Sequence, residues 1–325
     1  MTIPIEEYKR EACRGNRGRI ADAAAEWAGV VDWWTSGRPL FVRAFHKEVG
    51  KRPSKAGIDN LLDAAIPRTL GDLQRKEADD AYYAAHAALF LQEMDSIVSR
   101  VPRNCPDSGA AFAFANVLRF VDHVLFDSVV LLEHWAARSR QVPGVFGVGK
   151  NEVEHMHTFF FGAQQTIYGH GSFGLSFAEN HSDLVIGTIR QALEIRLRRA
   201  FGIAGRFSDA NNTFEPVPLS ALFEAIRPFE KQITSEVPFA TLRRVNGWAN
   251  MYLHGAIKLP AWTPPRVLAR LKPLLLGEGR KRGDGLRMPK STFDGVRQKL
   301  MDQYDVTPSP IELFPVEHCE VLITE

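Results

Sequence analysis

The chain has little of what would place it in a specialised class. Its three cysteines, Cys13, Cys105 and Cys319, are odd in number, far apart and without CxxC spacing, so neither a disulfide scaffold nor a zinc knuckle is expected. Charge of one sign is also scarce: 40 Lys and Arg against 38 Asp and Glu leave +2, and bulk charge names no partner. The run Thr158 to Ala178 has no formal charge, but Gly162, Gly169, Gly171, Gly174, Gln164, Gln165 and His170 make it too polar to span a bilayer. The first residues, Thr2, Ile3 and Pro4 followed by Glu6, Glu7, Lys9 and Arg10, lack the apolar stretch of a secretory signal. The expectation is a cytoplasmic protein without a membrane partner. Few stretches alternate with period two, and neither a βαβ succession nor an internal repeat is legible.

What the chain has is apolar material at helical spacing. With 45% hydrophobic residues over 325 positions it can bury one large core or two ordinary ones, and its apolar residues recur every three or four positions. The spacing predicts an all-α fold. Glu6 to Trp34 reads as one helix, broken by Gly15 and Gly18 near its start, and Ser54 to Ile66 as a short second one. The alanine- and leucine-rich segments Leu73 to Val101 and Ser108 to Val142, joined by the short Pro102 to Pro106, read as a long antiparallel hairpin. Asp183 to Phe201 reads as a helix capped by Ser182 and closed by Gly202 at C′. Gly205 to Pro218 reads as a polar loop and Leu219 to Phe229 as a short helix. Pro238 opens a helix carried to Ile257, followed by helices over Arg266 to Leu276 and Thr292 to Gln303; Ile311 to Thr324 has room for a strand. Three regions follow: a helical region over 1–150, a glycine-rich connection over 151–180, and a helical bundle with a basic extension over 181–325.

Charge is distributed unevenly. Between Arg243 and Leu300 thirteen Lys and Arg face three Asp and Glu, an excess of ten, so the rest of the chain carries a net −8. The helix over Phe239 to Ile257 lies inside this stretch and is amphipathic. On a wheel of about 100° per residue, Asn246, Asn250, Arg243 and His254 fall within about 80° of each other, opposite Leu242, Val245, Trp248, Ala249, Tyr252, Leu253 and Ala256. A guanidinium, two carboxamides and an imidazole on one stripe suit a phosphate or a sugar hydroxyl. An ordinary solvent face, with a histidine near a helix C-terminus, explains the same pattern.

The run Arg243-Arg244-Val245-Asn246-Gly247-Trp248-Ala249-Asn250-Met251-Tyr252-Leu253-His254-Gly255 resembles the last core helix of HEPN-like proteins, an all-α superfamily rich in RNA-cleaving toxins and defence proteins. Arg190 to Arg199 (RQALEIRLRR) resembles an earlier helix of that bundle. The resemblance covers about residues 181–276. It implies an RNA-associated protein, with RNA or another polyanion as partner, a homodimer, and no cofactor. In its active members it implies metal-independent endoribonuclease chemistry for prokaryotic defence or toxin systems. The carried-over catalytic candidates are His254, for acid or base work, and Asn250. Cleaving members place an Arg before the His with four to six residues intervening, where this chain has Gly247, Trp248 and Ala249. Arg243 lies about 16 Å from His254 along the axis, too far to share one phosphate. The alternative is therefore a non-enzymatic helical interaction protein that keeps the scaffold. Arg243, Arg190, Arg198, Lys281, Arg282 and Arg287 are the RNA-binding candidates. Arg190 and Arg198 flank Glu194 at i±4, which an ion-pair ladder explains equally well.

Three other patterns offer less. Arg119, His123, Asp127, His134 and Arg138 share a helical face, and Glu152 to His157 supplies an ExxH spacing; ferritin-like metal binding needs a second ExxH on another helix, which the sequence lacks, so an alternating-charge solvated face is expected. Gly169 to Gly174 matches GxGxxG without the strand and helix a dinucleotide site needs, and reads as a turn.

Overall fold

The computed structural model describes residues 4–12, 23–101, 110–140, 185–208, 213–257, 259–276, 286–303, 311–313 and 322–324. The fold is helical, as the periodicity predicts, with two small sheets in the C-terminal half. The chain divides into two compact units. The first is Met1–Ile186 with Asn250–Val267, and the second is Gly187–Ala249 with Leu268–Glu325. Among the described residues no helix is long and apolar enough to cross a membrane.

In the first unit α1 (Pro4–Ala12), α2 (Ala23–Val49), α3 (Ile58–Ala65), α4 (Leu70–Glu77), α5 (Asp80–Arg100) and α6 (Ala110–Arg140) follow one another. The helix expected to stop at Trp34 runs on to Val49, straight through Pro39. A proline inside a helix costs about 3 kcal/mol. Here the buried stripe continues past it through Leu40, Phe41, Ala44, Phe45 and Val49, and that burial outweighs the lost hydrogen bond. Gly37 sits in the same helix because a Cβ there would come 2.6 Å from the Trp33 indole.

The segment read as one helix from Leu73 to Val101 is two. Asp79 interrupts it and caps α5 by accepting from the Ala81 amide at 2.9 Å. From Tyr82 to Leu91 every α5 residue is buried, which makes α5 the central helix of this unit. Around it Phe90 packs on Phe41 (ring centroids 4.5 Å), Trp34 (5.7 Å) and Trp262 (5.4 Å). Helix α6 packs against α2 and α5, completing the expected hairpin.

In the second unit α7 (Val185–Phe201) ends as expected on Gly202, whose φ of 61° is the left-handed conformation glycine supplies at C′. The loop expected over Gly205 to Pro218 is a correction. Strands β1 (Ile203–Ser208) and β2 (Thr213–Pro216) form an antiparallel pair, with Gly205 opposite Pro216 and Ser208 opposite Thr213. The apolar residues of this pair, Ile203, Phe207 and Phe214, are too few for a period-two pattern to stand out.

Next come α8 (Leu219–Ile226), a 3-10 turn over Arg227–Gln232, β3 (Thr234–Ser235), α9 (Phe239–Gly255), α10 (Thr263–Leu276), β4 (Leu286–Pro289), α11 (Lys290–Gln303), β5 (Ile311–Leu313) and β6 (Leu322–Thr324). Both strands at the C-terminal end lie where a strand was expected, β5 beside β1 and β6 parallel to β4. Leu193, Leu197, Leu222, Leu242, Trp248, Leu271, Val296 and Leu300 line this unit's core. Arg196, itself buried, donates from Nε to the Leu274 carbonyl at 2.7 Å and ties α7 to the last turn of α10.

The units divide the chain differently from the regions read in sequence: the first runs on to Ile186. Asn250–Val267, counted by sequence with the C-terminal bundle, clusters with the N-terminal unit. Its interior residues Leu259, Ala261, Trp262 and Thr263 are buried, and Trp262 packs on Phe90 of α5. An apolar loop after a helix looks alike in sequence whichever core it enters. The glycine-rich connection over 151–180 lies outside the described residues.

Candidate functional site

Helix α9 carries the stripe that motivated the functional reading. Pro238 precedes it and accepts the Leu242 amide on its carbonyl at 3.1 Å. The helix closes at Gly255, where the Ala256 amide donates to the Tyr252 carbonyl at 2.7 Å. Ala256 itself has φ 52°, a left-handed position taken without glycine and so a strained one.

The stripe does not face solvent uniformly. His254 is exposed and Asn250 half-buried, but Asn246 is buried, and so is Arg244 on the other side of the helix. Leu253, placed by the wheel with the core, is 43% exposed. The wheel treats a helix as having one buried face, whereas this one is covered around most of its circumference near Asn246 and open near its C-terminus.

Each described arginine candidate on a helix is engaged by its own unit. Arg243 forms a two-pronged pair with Glu230, Nη1 to Oε2 at 2.8 Å and Nη2 to Oε1 at 3.2 Å. Such fork-to-fork geometry fixes the guanidinium plane. Glu194 lies between Arg190 (3.0 Å) and Arg198 (3.4 Å), the ladder expected from the i±4 spacing. Arg198 also donates from Nε to the Val217 carbonyl at 3.0 Å. Arg287, by contrast, is exposed on β4; Lys281 and Arg282 lie outside the described residues.

Other cations of the basic stretch divide in the same way. Arg270 donates to the Glu236 carbonyl at 2.8 Å, and Arg297 sits 5.1 Å from the Phe293 ring centroid. Lys272, Arg287, Lys290 and Lys299 are exposed and have no carboxylate partner among the described residues.

The face expected to be solvated on α6 is largely committed to structure. Asp127 accepts the Ala261 amide at 2.7 Å, and His134 is buried with Nε2 3.9 Å from Glu77 Oε1. Glu133 beside it is buried against Lys9 at 2.5 Å. His123 alone of the four described side chains on that face is exposed; Arg119 and Asp127 are intermediate, and the Arg138 side chain lies outside the described residues. The ExxH and GxGxxG patterns fall outside them as well. Among the described residues no group of three or more His, Cys, Asp or Glu is placed to hold a metal ion.

Sequence reasoning missed one constellation, fully buried in the first unit. His86 on α5 accepts the Trp262 indole N–H on Nδ1 at 3.3 Å, with the Tyr82 ring 4.4 Å from its own. Burial pushes its pKa down to about 3, with Lys76 and His134 acting in the same direction against the Ala65 backbone. Nothing in the run Ala84-Ala85-His86-Ala87-Ala88 signals this except that His86 is the single polar residue in an apolar stretch. Compared with protein families, with curated proteins and with solved structures, the chain matches none.

Proposed function

We propose that the chain is a non-enzymatic helical protein that associates with RNA, keeping a HEPN-like scaffold and using the basic C-terminal third to follow a phosphate backbone. The observation that carries this reading is the division of cations. Arg243, Arg190 and Arg198, the groups a phosphorane would need, are each neutralised by Glu230 or Glu194, while Lys272, Arg287, Lys290 and Lys299 are exposed without a carboxylate partner among the described residues. A fixed cation aimed at developing charge is what a metal-independent nuclease requires. A set of unpaired surface cations is what backbone binding requires, because it works by releasing counterions.

Labelled RNA incubated with the purified chain and a chelator tests both halves. The expected result is salt-sensitive retention without cleavage. Replacing Lys272, Arg287, Lys290 and Lys299 by Gln should weaken binding alike across sequences and flatten log K against log salt by about 0.7 per lost contact on single-stranded RNA. Unchanged retention in that variant would overturn the reading.

The exposure of His254 at the end of α9 favours a second reading, in which the chain cleaves RNA with an arginine supplied by another copy. Cleavage by wild type that His254→Ala abolishes, and that Asn250→Ala slows, would establish it in place of the first.

A further inference from the structure

Two hydrogen bonds and an ion pair hold the middle of Asn250–Val267 inside the first unit. The Ala261 amide donates to Asp127 Oδ2 on α6 at 2.7 Å, the Trp262 indole donates to His86 Nδ1 on α5 at 3.3 Å, and Arg266 Nε meets Glu93 Oε2 on α5 at 2.5 Å. All three share one chemical asymmetry. The donors, all on the segment, are an amide, an indole and a guanidinium, none of which changes charge in the ordinary pH range. The acceptors, all on α5 or α6, are two carboxylates and an imidazole; a protonated carboxyl keeps oxygen lone pairs, whereas a protonated imidazole nitrogen keeps none.

Of the three, His86 is the one whose protonation works wholly against docking. Its ring is fully buried, Trp262 is fully buried against it and against Phe90, and the indole N–H points at the one lone pair that a proton would occupy. An imidazolium has N–H on both ring nitrogens, so the bond to Trp262 becomes donor against donor. We propose that Asn250–Val267 is an acid-released strap, latched onto α5 by the neutral imidazole of His86 and freed when a solvent proton binds Nδ1.

The groups around the ring set the direction. Lys76 on α4 and His134 on α6 disfavour a further positive charge; the Ala65 carbonyl at the end of α3 opposes them, and Tyr82 and Trp262 bring no charge. A folded pKa below the free value means that stability of the docked form is complete above the free imidazole pKa and declines as pH falls from there toward about 3. Glu93 acts oppositely. Burial raises its pKa, against the pull of Arg266 and Arg100, so proton uptake there favours the docked form at carboxylate pH. The latch therefore acts as pH falls below about 6.5, the ordinary imidazole value, and Glu93, its own pKa raised by burial, opposes it once that carboxylate takes up a proton. His254 lies on the strap, so its surroundings change with the same proton. The proposal rests on the first unit's geometry and stands whether or not the chain binds RNA.

Hydrogen exchange on the full chain tests it. Protection of the strap amides, Ala261 above all, is followed from about pH 7 to about pH 5 and corrected for intrinsic exchange. The opening constant should rise toward tenfold per pH unit below about pH 6.5, while α5 interior amides stay protected. His86→Gln supplies a carbonyl acceptor without a titrating proton and should abolish that slope while leaving the strap docked. Protection independent of pH, a slope retained in His86→Gln, or loss of α5 and strap protection together would each overturn the latch. Should His86→Gln not fold, imidazole nitrogen shifts of the wild type decide: His86 remaining neutral at about pH 5 in the docked form supports the proposal, and ordinary titration near pH 6.5 with the strap still protected rejects it.

Discussion

The two units use charge in opposite ways. In the first, ionisable groups are drawn inward and matched: Lys9 with Glu133, Arg266 with Glu93, His134 with Glu77, and a neutral His86 under Trp262. In the second, several cations are spent on Glu230, Glu194 and backbone carbonyls, while Lys272, Arg287, Lys290 and Lys299 are exposed. The difference teaches that a count of basic residues measures opportunity and not binding. Of the thirteen Lys and Arg between Arg243 and Leu300, Arg243, Arg266, Arg270 and Arg297 are engaged, Arg244 is buried, and Lys258, Arg280, Lys281 and Arg282 lie outside the described residues, which leaves four described cations open to a phosphate chain.

The largest effect that would sharpen the contrast is in the first unit. Trp262→Ala empties a fully buried site against Phe90 and His86, and should cost about 3–5 kcal/mol in chemical denaturation. A loss below about 1 kcal/mol would show that the strap contributes little to this unit. Next is Lys9→Ala, which leaves the buried Glu133 carboxylate without its 2.5 Å partner and should cost about 2 kcal/mol. Burial opposes the charge on Lys9, but Glu133, with Glu6 adding to it, prevails and raises its pKa above the ordinary lysine value. A raised pKa makes this contribution complete below about pH 10.5 and lost as pH climbs through the folded value. Alkaline denaturation of wild type should therefore include a component missing from Lys9→Ala.

These residues also mark how far the sequence could be read. Helical class, the α5–α6 hairpin, the Gly202 cap and the Arg190–Glu194–Arg198 ladder are local properties, fixed by spacing within one or two turns, and all were legible. The course of α2 through Pro39 was not, because tertiary burial of Phe41 and Phe45 overrides a local breaker. Nor was the destination of Trp262, whose partners His86 and Phe90 lie more than 170 residues earlier. In the candidate site the stripe on α9 was visible, whereas the capture of Arg243 by Glu230, 13 residues earlier and on a different element, depends on a turn that no helical period encodes.

In the second unit the effects are smaller in stability and larger in binding. Replacing Lys272, Arg287, Lys290 and Lys299 together by Gln should change stability by less than about 0.5 kcal/mol per site, since exposed side chains touch no core. Retention on immobilised RNA should nevertheless fall at low salt and lose part of its salt dependence. Stability loss with unchanged retention would reverse the assignment of these cations to binding.

The smallest effect bears most directly on the contrast between spent and free cations. The Arg243–Glu230 pair is about a quarter to a third exposed on each side, so its coupling in a double-mutant cycle should be only about 0.5–1 kcal/mol. Glu230→Gln keeps the shape and a hydrogen-bonding oxygen but removes the charge that neutralises Arg243. If carboxylates are what withhold the helical arginines from a phosphate, this variant should bind RNA more tightly than wild type, with a steeper salt dependence from one added contact. Arg243→Gln alone should leave binding unchanged, because a paired guanidinium contributes none. The opposite pattern, with Arg243→Gln weakening retention and Glu230→Gln without effect, would mean that Arg243 exchanges its carboxylate for a phosphate on binding, and the cleaving alternative would regain the cation it lacks.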